Sequence, residues 1–321
     1  MLLKNNVQLP LFDGDDAMPT GKHHISFSEI NVFQECSYKH KLMYIDKIGS
    51  DPGSIHTAYG QVVHDLLESF LHTKELPTAE QELAAKLDFK ERCNRLIENY
   101  SAKISNEEIE EFSKSIDGLV GSTAKFLDEI FPGWEPVAAE FNLFESIKGE
   151  KNRWFKGFID SVIRIPRKRK KKVALNVITE NQLRFSDIHS SVIEEEKKPI
   201  INNTDWEYVI IDWKTTGAGW TPDKKRDFNK QLQLVLYKHY FCSIFNLELT
   251  DVKCGFVLLK RKIRKSDGSR VEIVPVSVGP ITQEKGLKIL TNTVKQISAG
   301  RVIKNRNSCR YCPYYGTKHC T

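Results

Sequence analysis

Tyr208-Val209-Ile210-Ile211-Asp212-Trp213-Lys214 is an apolar, β-branched run that ends in an acid and a base two residues apart. β-branched and aromatic residues favour extended chain, so the run predicts a strand over 207–214. Side chains alternate faces along a strand, so Asp212 and Lys214 point the same way. Arg153-Trp154-Phe155-Lys156-Gly157-Phe158-Ile159-Asp160 precedes it in a second predicted strand, 153–165, with Asp160 placed similarly. If the two strands pair, two carboxylates and one ammonium meet on one sheet surface. Hard divalent ions such as Mg²⁺ or Mn²⁺ take carboxylate oxygens and keep open water positions. Such an ion polarises a phosphodiester and lowers the pKa of an attacking water, and a lysine beside it stabilises charge developing on phosphorus. The plainer alternative is a structural salt bridge.

Outward from these strands the pattern predicts helices before them and a mixed arrangement after. Ser26-Phe27-Ser28-Glu29 reads as a capping box opening a helix with Ile30, Phe33 and Cys36 at helical spacing. A second helix is expected at 58–73, with Val63, Leu66, Leu67 and Phe70 on its apolar face, His64 beside that face and Gly60 one turn earlier. Residues 79–131 read as helical and 137–147 as a strand, within which Ala138-Ala139-Glu140-Phe141 holds a further candidate acid, Glu140. After Lys214 come a helix at 226–246, strands at 252–260 and 270–278, and a helix at 281–298. This order predicts an α/β protein with a mixed sheet flanked by helices. Residues 166–206 interrupt it as a surface hairpin insertion, opening with six basic residues, Arg167 to Lys172, and later holding Glu194-Glu195-Glu196.

The 321 residues allow about two domains at roughly 150 residues each, and 40% apolar content is ample for a core. No apolar stretch is long enough to span a membrane, and the first 20 residues lack a signal-peptide core. The net charge of +6 permits a polyanionic partner. Seven cysteines make a disulfide framework a poor explanation in a chain expected to be intracellular. Cys93, Cys242 and Cys254 fall in helix or strand patterns and read as core residues. Cys309-x-x-Cys312 followed by Cys320 reads as a metal-binding knuckle. Its fourth ligand is either His319, giving a zinc site, or the distant Cys36.

Four stretches in order resemble the PD-(D/E)XK nuclease superfamily, in the branch of the RecB- and AddB-type nuclease domains and the CRISPR-associated spacer-acquisition nucleases. They are Ser26 to Cys36; Gly60-Gln61-Val62-Val63-His64; Gly157 to Asp160 with Asp212-Trp213-Lys214; and Gln233-Leu234-Val235-Leu236-Tyr237. The resemblance implies a restriction-endonuclease-like fold. It implies Mg²⁺ or Mn²⁺ on His64, Asp160 and Asp212 with backbone near Trp213, and Lys214 as the catalytic lysine. Gln233 and Tyr237 would border the site and contact DNA. Cys36, Cys309, Cys312 and Cys320 would hold a [4Fe–4S] cluster that ties the first helix to the C-terminus.

The expected function is thus a metal-dependent deoxyribonuclease, an exonuclease acting in recombination, repair or replication. Its partner is DNA, single-stranded or end-containing duplex, with a helicase or annealing protein as a further partner and no membrane. Its setting would be the cytoplasm of a bacterial or phage-infected cell. A non-catalytic DNA-binding iron–sulfur module and a zinc-stabilised interaction protein remain alternatives. The basic run is a phosphate contact, an import-like patch or a solvated hairpin tip. Trp154, Trp206, Trp213 and Trp220 are either base-stacking or packing residues. The expected organisation is a leader at 1–24 and one domain over 25–321, with a helical insertion at 75–132 and the cluster site at 309–320.

Overall fold

The computed structural model describes residues 2–3, 16–49, 53–167, 205–263 and 268–321. In chain order, a short strand β1 (His24–Ser26) leads into helices α1 (Phe27–Glu35) and α2 (Ser37–His40), and the latter runs on as a π-helical turn over Lys41–Ile45. Four helices follow, α3 (Ile55–Thr73), α4 (Ala79–Tyr100), α5 (Asn106–Lys114) and α6 (Leu119–Ile130). Strands β2 (Glu135–Ser146), β3 (Trp154–Pro166) and β4 (Trp206–Thr216) come next. Helices α7 (Pro222–Arg226) and α8 (Phe228–Phe245), strands β5 (Val252–Lys260) and β6 (Val271–Pro275), and helix α9 (Pro280–Ser298) complete the regular elements.

The strands form one mixed sheet. β2 pairs antiparallel with β3 along almost its whole length, from Ser146↔Trp154 to Glu135↔Arg164. The other edge of β3 is shared. β4 pairs antiparallel with it from Pro166↔Trp206 to Ser161↔Ile211, and β1 pairs parallel with its start, from His24↔Trp154 to Ser26↔Lys156. β3 and β4 therefore separate just beyond Ser161, and that fork decides where the chemistry can sit. β4 continues parallel to β5, and β5 antiparallel to β6.

Tyr208 to Trp213 are all buried, which explains the unbroken apolar run: helices cover both faces of this central strand. One core takes Ile25, Phe155, Tyr208, Ile210 and Leu258 together with α1, α8 and α9. The other takes Ile163, Val209, Ile211 and Trp213 together with α3 to α6. The helices begin on local signals: Ser54, Thr78 and Ser105 cap α3, α4 and α5, the last two in full capping boxes.

Two sequence expectations change. The capping box at α1 is half made. Ser26 Oγ accepts the Glu29 N–H at 3.3 Å, but the Glu29 carboxylate is buried and meets His40 Nε2 at 3.0 Å instead of turning back to the Ser26 amide. A buried carboxylate needs a partner on its own side of the core, and α2 supplies one. β1 (His24–Ser26) straddles the expected end of the leader at residue 24 and the Ser26 cap, and three residues are too few to show a period of two. The ends of the 166–206 segment meet where Arg167 N–H donates to Asp205 O at 2.8 Å. Arg167 also reaches Asp251 Oδ1 at 2.6 Å, so the first residue of the basic run is engaged in an ion pair. Lys168 to Lys172 and Glu194 to Glu196 lie outside the described residues, as do most of residues 1–15. Among the described residues, no helix is long and apolar enough to cross a membrane.

Candidate active site and cysteine centre

Where β3 and β4 part, Trp213 N–H has lost its ladder partner, and the Asp160 side chain takes it: Trp213 N donates to Asp160 Oδ2 at 2.9 Å. From α3, His64 Nε2 lies 3.1 Å from Trp213 O. A carbonyl only accepts, so the hydrogen bond puts the proton on Nε2 and leaves the Nδ1 lone pair free. Nδ1 faces Asp160 Oδ2 at 3.7 Å. Burial lowers the His64 pKa, against an opposing pull from Asp212, so the ring is held neutral. A neutral imidazole whose far nitrogen is anchored on a backbone carbonyl is the form that ligates metals.

Glu140 completes the group. It lies in β2 where the backbone turns through φ 46°, a left-handed conformation that costs a non-glycine residue about 1–2 kcal/mol. The strand register brings it opposite Asp160, since Ala139 pairs with Ser161 and Phe141 with Ile159. Among the described residues, His64, Glu140 and Asp160 offer three ligand atoms within 4.8 Å of one another. Burial raises the pKa of Glu140, with Glu68, Asp65 and Asp212 adding to it. Burial, then the Asp212 carboxylate, push Asp160 well above the ordinary carboxylate range.

Asp212 stands apart from that group of three. It is 1% exposed, and its Oδ2 lies 2.6 Å from Lys214 Nζ. Among the described residues neither of its oxygens has an aligned hydrogen bond. Burial works against the Lys214 ammonium, but the Asp212 and Asp160 carboxylates outweigh it and raise its pKa. Two carboxylates therefore act on this ammonium, and a third, Glu140, stands beside Asp160. A lone pair on His64 Nδ1, under-satisfied buried oxygens on Asp212 and an excess of negative charge fit a hard divalent cation.

The residues of α8 flank this centre. Gln233 Nε2 donates to Tyr237 Oη at 3.2 Å. The Tyr237 ring is buried, and burial with the Asp212 charge drives its phenol pKa far up, so it stays neutral. Gly157 makes room for it: a Cβ there would stand 2.7 Å from Tyr237 Cε1. Gly157→Ala is therefore expected to cost about 1–3 kcal/mol through overpacking, read as a lower urea midpoint. An unchanged midpoint would show that Tyr237 moves aside freely.

A second centre lies about 270 residues apart in sequence and together in space. Cys36, between α1 and α2, lines one cavity with Cys309, Cys312 and Cys320, and all four are free and partly exposed. Asn305 N–H points at Cys36 Sγ at 3.4 Å. Protein hydrogen bonds already fasten the tail here: Asn305 Nδ2 and Ser308 Oγ both donate to Glu35 O, at 2.9 and 2.8 Å, and Tyr38 Oη donates to His319 O at 2.9 Å. His319 is not among the residues lining the cavity. Cys93, Cys242 and Cys254 are buried core residues, and burial pushes their thiols up to about 11, 12 and 11.

A sequence model of the PD-(D/E)XK nuclease superfamily matches residues 24–177 and 200–317. The chain belongs to this superfamily. No curated protein matches it. In this PD-(D/E)XK chain Asp212-Trp213-Lys214 lies at the fork of β3 and β4. The gap in the match, 178–199, falls inside the segment expected as an insertion. Sequence reasoning named Asp160, Asp212, Lys214 and His64 but left Glu140 open. The sequence signal for Glu140 was an acid directly after the apolar run Val137-Ala138-Ala139; the left-handed turn that aims it has no signature in a Glu. Trp213 is a core residue, and Trp206 and Trp220 pack against Arg164 and Phe256.

Proposed function

We propose that the chain is a metal-dependent deoxyribonuclease, an exonuclease that hydrolyses phosphodiester bonds at DNA ends during recombination, repair or replication. The observation that carries this reading is the group of His64, Glu140 and Asp160 set beside the Asp212–Lys214 pair in a superfamily of nucleases. His64, Glu140 and Asp160 would hold Mg²⁺ or Mn²⁺, with Asp212 able to join on a small shift from Lys214. The ion, when bound, supplies a polarised phosphodiester and an activated water. Lys214, kept protonated by Asp212 and Asp160, acts as a fixed positive charge toward the developing negative charge on phosphorus rather than as a base. Trp213 anchors the ligands through its backbone, its N–H on Asp160 and its carbonyl on His64. Neutral Tyr237, bonded to Gln233, offers a hydroxyl at the rim for a phosphate oxygen.

The cysteine centre is read as a [4Fe–4S] site on Cys36, Cys309, Cys312 and Cys320. A single tetrahedral zinc would draw sulfurs to roughly 3.8 Å of one another, given Zn–S bonds of about 2.3 Å. A [4Fe–4S] cluster would hold them farther apart, and the cavity that the four cysteines line together, and that His319 does not line, supports reading them as one ligand set. The intact carboxylate and lysine set weighs against a non-catalytic module.

End-labelled single- and double-stranded DNA is expected to be degraded from its ends with Mg²⁺ or Mn²⁺, and to be left whole after chelation. Cleavage that persists undiminished in excess chelator would overturn the metal reading. Internal nicking of closed circles at the same rate would overturn the exonuclease reading.

A further inference from the structure

Residues 154, 156, 158 and 160 of β3 share one sheet face, and this face is only half covered. Trp154 and Lys156 are partly exposed and Phe158 is 44% exposed, while the intervening Phe155, Gly157 and Ile159 are buried on the opposite side. Among the described residues, the core beneath α3 to α6 takes in Ile163 but no residue of β3 before Asp160. The strip is aromatic. Phe144 of β2 stacks on Trp154 at 6.2 Å with ring planes 16° apart, and His24 of β1 meets Phe144 edge-on at 5.7 Å. It is also basic. Lys156 Nζ lies 5.8 Å from the Phe158 ring centroid, and no described carboxylate pairs with Lys156. Lys22 stands nearby, and after burial these two lysines lower the His24 pKa further.

An exposed phenylalanine two residues from the half-buried Asp160 carboxylate gains nothing for the core. Its ring lies on the same face as the ligand group, one strand pleat away, about 6.7 Å along the chain. Something flat, apolar and anionic suits rings interleaved with lysines, and nucleic-acid bases on a phosphate backbone have that chemistry. A duplex keeps its base faces stacked on each other, so only an unpaired strand can offer them to Phe158.

We infer that the open face of β1, β2 and β3 is a single-strand platform, on which Phe158 stacks the base next to the scissile phosphate and Lys156 meets the backbone. The inference rests on the nuclease reading of the adjoining site, and it assigns the substrate class as single-stranded DNA. The unpaired strand runs along β3 toward Asp160, with the Phe144–Trp154 pair flooring its entry. The duplex part of an end-containing substrate would stay outside.

The test is binding, not turnover. Fluorescein-labelled oligo-dT and a duplex of equal length are titrated in excess chelator and followed by anisotropy. The full-length protein is expected to prefer the single strand. Phe158→Ala should weaken oligo-dT binding about tenfold, the loss of one base–aromatic stack, and leave duplex affinity within about twofold. Phe158→Trp should restore the single-strand affinity. Ile281→Ala, at an 84% exposed apolar position on α9, should change neither, and circular dichroism checks each fold. Equal oligo-dT affinity in wild type and Phe158→Ala, equal losses on both DNAs, or no single-strand binding by wild type would overturn the platform. Cleavage assays separate the two readings: metal-dependent cleavage with unchanged Phe158→Ala affinity rejects the platform and leaves the nuclease standing. Selective loss of oligo-dT binding without any metal-dependent cleavage rejects the nuclease and leaves a single-strand binding face.

Discussion

Lys214→Met is expected to lower metal-dependent DNA cleavage by about 10²- to 10³-fold, the usual effect of deleting one preorganised charge at a reacting centre. Methionine keeps the length and apolar stem of lysine, so the change removes the ammonium with little repacking. The effect is large because the cation is singular. Asp212 and Asp160 both act on it and raise its pKa, so it is charged throughout the neutral range. The same substitution leaves Asp212 buried without its ion-pair partner. That should cost about 1–3 kcal/mol in metal-free protein. Mn²⁺ should return part of that loss, because a ligand that binds only the folded state stabilises it. Single-turnover cleavage at saturating Mn²⁺ and thermal unfolding with and without the ion measure the two effects. Full activity in a folded Lys214→Met protein would remove Lys214 from the mechanism.

Cys36→Ala is expected to abolish the broad visible absorbance of brown, anaerobically purified protein, and to lower its stability by about 5 kcal/mol. The magnitude follows from chain entropy. A link between Cys36 and the Cys309–Cys320 segment closes a loop of about 270 residues, and cross-links of that span remove roughly this much unfolded-state freedom. Metal binding at a site absent from the unfolded chain is folding free energy. Asn305, Ser308 and Tyr38 would still hold the tail to α1 and α2, so the variant should remain folded at low temperature. Iron and sulfide analysis with chemical unfolding tests this. A colourless wild type with one stoichiometric zinc, or a variant that keeps its colour, would reject the cluster.

The two cases differ in how they were legible. The Asp212-x-Lys214 pair can be read from a strand pattern because alternation puts both side chains on one face wherever the strand goes. Cys36 could not be joined to Cys309, Cys312 and Cys320 by any local rule, since nothing in the intervening residues states that α1 and the tail meet. The resemblance to a family suggested it, and the shared cavity brings the four together. Glu29 shows the opposite failure. Its spacing from Ser26 matches a capping box, yet a buried histidine from the next helix captured it, because a contact with His40 in the core outranks a solvated cap. Gly157 has no local explanation either: the neighbour that a Cβ there would meet is the Tyr237 ring, from a helix about 80 residues further along.

By itself the sequence determined the order and kind of the elements, because apolar periodicity is a local property that survives into the fold. It also determined which acids and which lysine were available for chemistry. Only the tertiary structure decided how they combine. The parting of β3 from β4 freed Trp213 N–H for Asp160, and a left-handed turn in β2 brought Glu140 to His64. Asp212 was left to Lys214 rather than to the group of three. Short-range pattern cannot encode these outcomes, because each depends on where a neighbouring strand stops pairing. The open, aromatic face of β3 has the same origin: among the described residues, the core beneath α3 to α6 takes in no residue of β3 before Asp160.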